Sequence, residues 1–185
     1  MTLASYISCL RIVLIVPIIY LTNLGFGENS SSFYNYLALF LFIFAGITDY
    51  LDGYVARKTN TETQLGALLD LIADKLLVSL VMIWMVFLTN NPWIVVPALI
   101  IVSRELVISI LRQHIVERLG KNNLSVSFVG KSKTTIQLIA ISMIILASEV
   151  TYIWLLAMIA IWFAAIFSLY SLYAYVSEWL EDNIN

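Results

Sequence analysis

Charged side chains are scarce in this chain. Only 12% of its 185 residues are charged, whereas 61% are hydrophobic, and the mean hydropathy is +0.92. This composition excludes an ordinary soluble globular domain, in which about a quarter of the residues are charged. The net charge of −2 does not suggest nucleic-acid binding, so no nucleic-acid partner is expected. The composition therefore predicts an integral membrane protein.

Cysteine and histidine are rarer still. The single cysteine, Cys9, excludes an intrachain disulfide and any metal cluster built from several cysteines. The single histidine, His114, lies next to a basic segment, and we expect it at the membrane interface rather than in catalysis. Zinc and redox-metal centres, which use these two residue types, are therefore not expected.

Long apolar runs fill most of the chain. A helix of about 20 apolar residues can cross the hydrocarbon core of a bilayer. The sequence predicts an all-α integral membrane protein with six membrane helices in a single domain, residues 1–185. Their apolar segments are residues 12–24, 33–48, 65–88, 93–111, 136–147 and 152–176. We expect Pro92 to begin the fourth helix and the acidic residues 177–185 to form a solvated tail.

Lysine and arginine are absent from alternate connections between these segments. The connections around Glu28, Asn90 and Glu149 contain neither residue type. The other two connections carry Arg57, Lys58, Arg112, Arg118, Lys121, Lys131 and Lys133. Because cytoplasmic loops are enriched in lysine and arginine, we expect these two connections and both termini in the cytoplasm.

Four aspartates stand among apolar residues near the first of these basic connections. Helical spacing places Asp49 and Asp52 on one face of a helix, and Asp70 and Asp74 on one face of the next. A charged side chain at the bilayer centre costs about 2.5 to 3.5 kcal/mol, so four acids need opposite charge nearby. Carboxylate oxygens suit Mg²⁺ or Mn²⁺, and two such ions could be shared among them. The pattern predicts a divalent-cation site for phosphate chemistry.

Small residues accompany the four acids. Gly53 and Ala56 follow the first pair, and Gly66 precedes the second pair by one turn. Such residues permit close approach of helices or make room for a ligand. The short connection at residues 57–65 is expected to hold the two helices antiparallel, with the acid pairs facing one another. Arg57 could clamp a phosphate with its planar guanidinium.

Two other interpretations of the acids remain open at this point. They could be paired only with Arg57 and Lys75, which would leave an excess of negative charge. They could instead form a proton or cation path in a transporter. Transport sites usually lie between structural repeats near the bilayer midplane, and the sequence has no visible internal repeat.

The spacing of these residues resembles the signature of a known family. Residues 49–57 read D-x-x-D-G-x-x-A-R, and residues 66–74 read G-x-x-x-D-x-x-x-D. Every fixed position matches the pattern of the CDP-alcohol phosphotransferase family, and the resemblance covers essentially the whole chain. It continues through residues 103–106, 111–112 and 130–135, where the sequence is most similar to bacterial members that form phosphatidylglycerophosphate.

The resemblance implies a six-helix enzyme bundle of the bacterial inner membrane, usually a homodimer. Such enzymes transfer the phosphatidyl group of CDP-diacylglycerol to sn-glycerol 3-phosphate and release CMP, with Mg²⁺ or Mn²⁺, two ions per site, as cofactor. By the same resemblance the metal ligands are Asp49, Asp52, Asp70 and Asp74, of which Asp74 also takes the proton of the attacking hydroxyl. The pocket for the CDP-lipid is lined by Asp52, Gly53, Ala56, Arg57 and Gly66.

Basic residues outside the acidic cluster are predicted to bind the acceptor phosphate: Arg104, Arg112, Lys131 and Lys133. The first two are two helical turns apart, about 12 Å along the axis. For Arg104 the alternative is a pair with Glu105 on the same helix, and for the others it is an anchoring role at the interface. A different acceptor, such as phosphatidylglycerol, serine or inositol phosphate, and an inactive scaffold with the same fold also remain open.

The first helix departs from the family pattern. Relatives commonly begin it with N-x-P-N-x-L-T-x-x-R, whereas here Thr2, Ala4 and Ser5 replace the two asparagines and the proline. Ser8 and Arg11 belong to the partial match that is left. We expect Arg11 to hold this helix at the cytoplasmic face, and it is not among the predicted site residues.

Overall fold

Helices form all of the regular secondary structure in the described part of the chain. The computed structural model describes residues 3–27, 31–59, 64–119, 128–147 and 151–184, apart from the side chains of residues 49–59, Arg112, Lys131 and some residues at helix ends. The helices are α1 (Leu3–Phe26), α2 (Ser32–Thr59), α3 (Gln64–Thr89), α4 (Pro92–Leu119), α5 (Phe128–Ala147) and α6 (Thr151–Ile184). The prediction of an all-α protein is confirmed. The connection around Asn123, which the sequence marks as the one loop long enough to fold over a site as a lid, lies outside the described residues.

Within the described part of the chain, four helices are long and apolar enough to cross a membrane. Their apolar segments are Tyr6–Phe26, Leu69–Thr89, Pro92–Leu111 and Tyr152–Ser177. In α2 and α5 the apolar stretches found among the described residues are shorter, Ser32–Thr48 and Ser132–Ala147. The protein is therefore an α-helical membrane protein with four clear candidate spans and two shorter apolar helices.

The segment 177–185, which is predicted to form a solvated tail, is helical over most of its length. Helix α6 is 34 residues long and continues to Ile184. A change from apolar to acidic composition marks where a helix can leave the hydrocarbon region, but it does not end the helix. Residues such as Glu181 are compatible with helical backbone, since glutamate has a high helix propensity.

Polar and apolar residues are distributed as expected for a protein surrounded by lipid. Large apolar side chains cover the outside, where Val16 is 70% exposed and Ile110 is 68% exposed. The side chains of Arg11, Arg104 and Lys133 are instead buried inside the bundle. In lipid an apolar outer surface is favourable, whereas ionisable residues face the interior and usually mark a functional site.

The turn between α3 and α4 closes one end of the bundle. Asn90 has a positive φ of 43°, a conformation that asparagine tolerates better than most residues, and its N–H donates to the carbonyl of Val86 at 3.2 Å. The side chain of Asn91 accepts the N–H of Trp93 at 3.0 Å and so caps α4. Pro92 is the first residue of α4, as predicted, where a missing N–H has little cost.

Helices α1 and α2 approach closely where α1 ends and α2 begins. Asn35 is fully buried, and its Nδ2 donates to the carbonyl oxygen of Gly25 at 3.1 Å. A Cβ atom on Gly25 would lie only 2.0 Å from Oδ1 of Asn35. Glycine is therefore required at this position by the close packing of the two helices.

We expect Gly25→Ala to destabilise the protein by about 1 to 3 kcal/mol, because the Asn35 amide must move and weaken its buried hydrogen bond. This loss exceeds the gain of about 0.5 to 1 kcal/mol that alanine normally brings to a helix. Thermal unfolding in detergent micelles measures the change. Gly27→Ala is the matched control, since its Cβ would meet the Asn23 carbonyl at an ordinary 3.4 Å. Equal stability of the two variants would contradict the prediction.

The packing of the helices places α1 and α5 beside both α2 and α3. Helix α1 packs against α2 and α3, and α5 packs against α2, α3 and α6. Helix α4 packs against α3 and α6. The two helices that carry the predicted acid pairs thus share α1 and α5 as neighbours. That the acid pairs face one another stays a prediction, because the side chains of Asp49 and Asp52 lie outside the described residues.

Candidate active site

The first part of the site is an ion pair between α1 and α3. The guanidinium Nη2 of Arg11 lies 2.8 Å from Oδ1 of Asp70, and the hydroxyl of Ser8 lies 3.4 Å from the same oxygen. Spacing of three residues places Ser8 and Arg11 on one face of α1. The Arg11 side chain is 1% exposed, whereas that of Asp70 is 42% exposed. The orientation of the Asp70 carboxylate is therefore fixed by Arg11 and Ser8 of α1, while part of the side chain remains accessible to a ligand.

Asp74 and Gly66 extend this part of the site along α3. They lie one helical turn after and before Asp70, so that the three residues share a face of the helix. Gly66 is buried, and Asp74 is partly buried. The two carboxylates suit a hard divalent cation, since carboxylate oxygen is its preferred protein ligand. Among the residues that the structure describes, no group of three or more histidine, cysteine, aspartate or glutamate residues could hold a metal ion. The full ligand set with Asp49 and Asp52 stays a prediction.

The second part of the site is a buried cluster of charges between α4 and α5. Oε1 of Glu105 accepts a hydrogen bond from the ammonium of Lys133 and lies 3.4 Å from Nη1 of Arg104. The Arg104, Glu105 and Lys133 side chains are all at most 13% exposed. One carboxylate oxygen therefore joins two of the four residues predicted to bind the acceptor phosphate.

Helix α6 supplies a further polar surface to this cluster. Nη2 of Arg104 donates to the hydroxyl of Ser171 at 2.8 Å, in a contact that is buried on both sides. Gln137 of α5 and Ser168 of α6 are also buried. Buried polar groups of this kind are costly unless they bind one another or a ligand. The buried region between α4, α5 and α6 at this end of the bundle is thus polar.

The two parts lie at the same end of the bundle. Lys75, next to Asp74 in the sequence, donates a hydrogen bond from its ammonium to the hydroxyl of Ser109 on α4. The Ser109 hydroxyl in turn donates to the backbone carbonyl of Glu105. These contacts place the first half of α3 beside the part of α4 that carries Glu105, which bonds Lys133 of α5.

The structure thus brings some of the predicted site residues together. The structure places Asp70, Asp74 and Gly66 on one face of α3, and it joins Arg104 to Lys133 through Glu105. The other predicted residues lie on α2, α4 and α5, but their side chains are outside the described part of the chain: Asp49, Asp52, Gly53, Ala56, Arg57, Arg112 and Lys131. Their roles stay predictions.

The alternative pair of Arg104 with Glu105 on the same helix is present, but only as a long contact. Nη1 of Arg104 lies 3.4 Å from Glu105, whereas its Nη2 makes the shorter bond to Ser171 of another helix. Adjacent residues on a helix diverge by about 100°, which limits how well their side chains can meet. The shorter hydrogen bond of Arg104 is thus to a residue of another helix.

Two residues of the site were missed by sequence reasoning, Arg11 and Glu105. Arg11 was expected only to hold α1 at the interface, yet it is fully buried and bonded to Asp70. The signal was available, because an arginine inside an apolar span indicates a functional position by default. Glu105 was considered only as a partner of Arg104. Its bond to Lys133 joins residues 28 apart in the sequence, and helical spacing cannot predict such a contact.

The fold and the site define an α-helical membrane protein with carboxylates and buried cations gathered at one end of its bundle, a combination suited to phosphate chemistry. A family model described as CDP-alcohol phosphatidyltransferase matches residues 1–170. The chain therefore belongs to the CDP-alcohol phosphatidyltransferase family. This family is generally dependent on divalent cations.

Curated relatives align with most of the chain. The chain is 37% identical over 141 residues to the CDP-diacylglycerol–glycerol-3-phosphate 3-phosphatidyltransferase of Haemophilus influenzae, covering 76% of each chain. Proteins of the same name from Wigglesworthia glossinidia brevipalpis and Escherichia coli K12 are 39% and 36% identical. These alignments cover 76% and 80% of this chain, and 75% and 80% of the respective relatives.

Proposed function

We propose that this chain transfers the phosphatidyl group of CDP-diacylglycerol to sn-glycerol 3-phosphate, forming phosphatidylglycerophosphate and CMP. The observation that carries the proposal is the pair of buried cations, Arg104 and Lys133, which are joined through Glu105. An acceptor that already carries a phosphate explains two buried cations more directly than a neutral alcohol does. The names of the similar proteins support the same reaction.

The proposed reaction is a displacement at the phosphorus of the phosphatidyl group. The primary hydroxyl oxygen of the acceptor forms a new bond to this phosphorus, and the bond from phosphorus to the oxygen bridging to CMP breaks. The proton of the hydroxyl passes to the carboxylate of Asp74, which acts as general base. Arg104 and Lys133, with Arg112 and Lys131, bind the acceptor phosphate and orient the hydroxyl. Holding the two reactants in this way lowers the entropic part of the barrier.

A divalent cation, Mg²⁺ or Mn²⁺, would be held by Asp49, Asp52, Asp70 and Asp74, with two ions per site. When bound, it would polarise the diphosphate and stabilise the charge that develops on departing CMP. Asp70 supports this assignment because Arg11 and Ser8 fix its orientation while 42% of its side chain stays exposed. Gly53, Ala56, Arg57 and Gly66, together with Asp52, would line the pocket for the CDP-lipid.

We further propose that all six helices span the bilayer, as one domain of residues 1–185. Helix α2 has 28 residues, which is about 42 Å at 1.5 Å per residue, and α5 has 20 residues, about 30 Å. Both lengths reach across a hydrocarbon core of about 30 Å. The basic residues Arg57, Lys58 and Arg118 lie in the last turns of α2 and α4, which supports a cytoplasmic active site and cytoplasmic termini.

The setting of the reaction follows from this orientation. A site at the cytoplasmic edge of the bacterial inner membrane meets water-soluble glycerol 3-phosphate while the acyl chains of the lipid stay in the bilayer. The homodimer implied by the family stays a prediction that crosslinking in native membranes would test.

The test of the proposed function is release of CMP from CDP-diacylglycerol by the purified full-length protein in mixed micelles with Mg²⁺ or Mn²⁺. The acceptor is varied among sn-glycerol 3-phosphate, phosphatidylglycerol, serine and inositol phosphate. We expect release with sn-glycerol 3-phosphate and at most background release with the others. Success with another acceptor and failure with sn-glycerol 3-phosphate would overturn the proposal.

A further inference from the structure

Glu105 places a negative charge where the proposed acceptor phosphate is bound, although the reaction has no direct use for it. Its carboxylate is 13% exposed and contacts the two buried cations of this part of the site. Two cations close together in an interior of low dielectric repel each other strongly. A carboxylate between them offsets that repulsion and makes the arrangement of Arg104 and Lys133 stable before any ligand binds.

We propose that Glu105 is a positioning residue for acceptor recognition, which holds the ammonium of Lys133 beside the guanidinium of Arg104. Helix α4 contributes the carboxylate and helix α5 the ammonium, so the bond also fixes the distance between two walls of the site. The inference rests on the proposed function, since it concerns the residues that bind the acceptor phosphate. It assigns to Glu105 no contact with the reacting atoms.

Lys133 depends on this contact more than Arg104 does. Arg104 has a second anchor at 2.8 Å, the hydroxyl of Ser171 on α6. Lysine has a flexible stem of four carbons and no rigid fork of donors, so its ammonium is positioned mainly by the groups around it. The effect of removing the Glu105 charge should therefore pass through Lys133.

If Glu105 acted only by repelling the acceptor phosphate, its removal would change the KM for sn-glycerol 3-phosphate in the opposite direction. A carboxylate that only opposed the acceptor phosphate would weaken binding, and its removal would lower the KM for sn-glycerol 3-phosphate. A carboxylate that positions Lys133 strengthens binding, and its removal raises this KM. The direction of the change in KM therefore distinguishes the two roles.

The experiment uses Glu105→Gln, which keeps the shape of the side chain and removes its charge. We expect the apparent KM for sn-glycerol 3-phosphate to rise about tenfold, as for loss of one charged hydrogen bond. The KM for CDP-diacylglycerol should stay within about twofold, because a change confined to acceptor binding affects that substrate alone. Ser103→Ala, an exposed neighbour on α4, is the control and should change neither value.

A double-variant comparison tests whether the effect passes through Lys133. If it does, Glu105→Gln combined with Lys133→Met will have the same KM as Lys133→Met alone. Effects that multiply would overturn the proposal, and so would an unchanged or lowered KM in Glu105→Gln. If Glu105→Gln does not fold, Glu105→Asp replaces it, since the shorter side chain keeps the charge but misplaces Lys133. An unchanged acceptor KM in that variant would likewise reject the positioning role.

Failure of this proposal and failure of the proposed function give different results. A wild-type protein that releases no CMP with sn-glycerol 3-phosphate refutes the function itself. A wild-type protein that does so, with the acceptor KM unchanged in the Glu105 variants, refutes only the positioning role.

Discussion

Asp74→Asn is expected to remove nearly all turnover. The rate of CMP release should fall by a factor of about 100 to 10,000, the range for loss of a general base. Asparagine has the same shape as aspartate but cannot take the proton of the attacking hydroxyl at neutral pH. The substitution therefore removes the chemistry while it disturbs the packing of α3 very little. Steady-state release of CMP with sn-glycerol 3-phosphate as acceptor measures the effect.

Binding of the nucleotide should survive this substitution. A ligand that binds only the folded protein raises its unfolding temperature, so CDP should still protect the Asp74→Asn variant against heat in detergent micelles. Leu80→Ala, on the exposed side of the same helix, is the matched control and should retain activity. A rate for Asp74→Asn within tenfold of wild type would reject its role as base, since loss of a base costs about 100-fold or more.

The helices of this protein were predictable because its apolar segments are long and the polar connections between them are short. All six predicted apolar segments lie inside helices α1 to α6. The helix ends were less predictable, as at residues 112–119 of α4 and 177–184 of α6. Hydropathy reports where a helix can meet lipid, whereas the end of a helix depends on capping and tertiary contacts.

The site was predictable where it follows from helical spacing and from the family pattern. Asp70, Asp74 and Gly66 share a face because they are four residues apart on one helix. The contacts between helices were not predictable in the same way. Arg11 and Asp70 are 59 residues apart, and Arg104 and Ser171 are 67 apart. Such pairs depend on how the helices pack, which no local spacing determines.

The ion pair between Arg11 and Asp70 contributes to stability in a way that can be measured separately from activity. Arg11 is fully buried, and Asp70 Oδ1 lies 2.8 Å from its guanidinium. Removal of one partner of a buried ion pair leaves the other charge poorly compensated, at a cost of about 3 to 5 kcal/mol when both are buried. Because Asp70 is 42% exposed, the cost of Asp70→Ala should be lower, about 2 to 3 kcal/mol.

The Asp70→Ala variant is thus expected to be less stable than wild type and also inactive. Activity is lost because Asp70 is a proposed metal ligand. Adding Arg11→Met removes the buried charge that has lost Asp70 as a partner, and it fills the buried space with an apolar side chain of similar length. The double variant should therefore regain at least half of the lost stability, as replacement of a buried ion pair by apolar residues often does. Its activity should stay absent, because the carboxylate is still missing.

Two measurements decide this prediction. Thermal unfolding in detergent micelles follows stability, and CMP release follows activity. Losses of stability that simply add in the double variant would show that Arg11 and Asp70 act independently. Recovery of activity in the double variant would show that Asp70 serves only to neutralise Arg11. The expected outcome, in which stability returns and activity does not, would give Asp70 two separate tasks: compensating a buried arginine and taking part in the reaction.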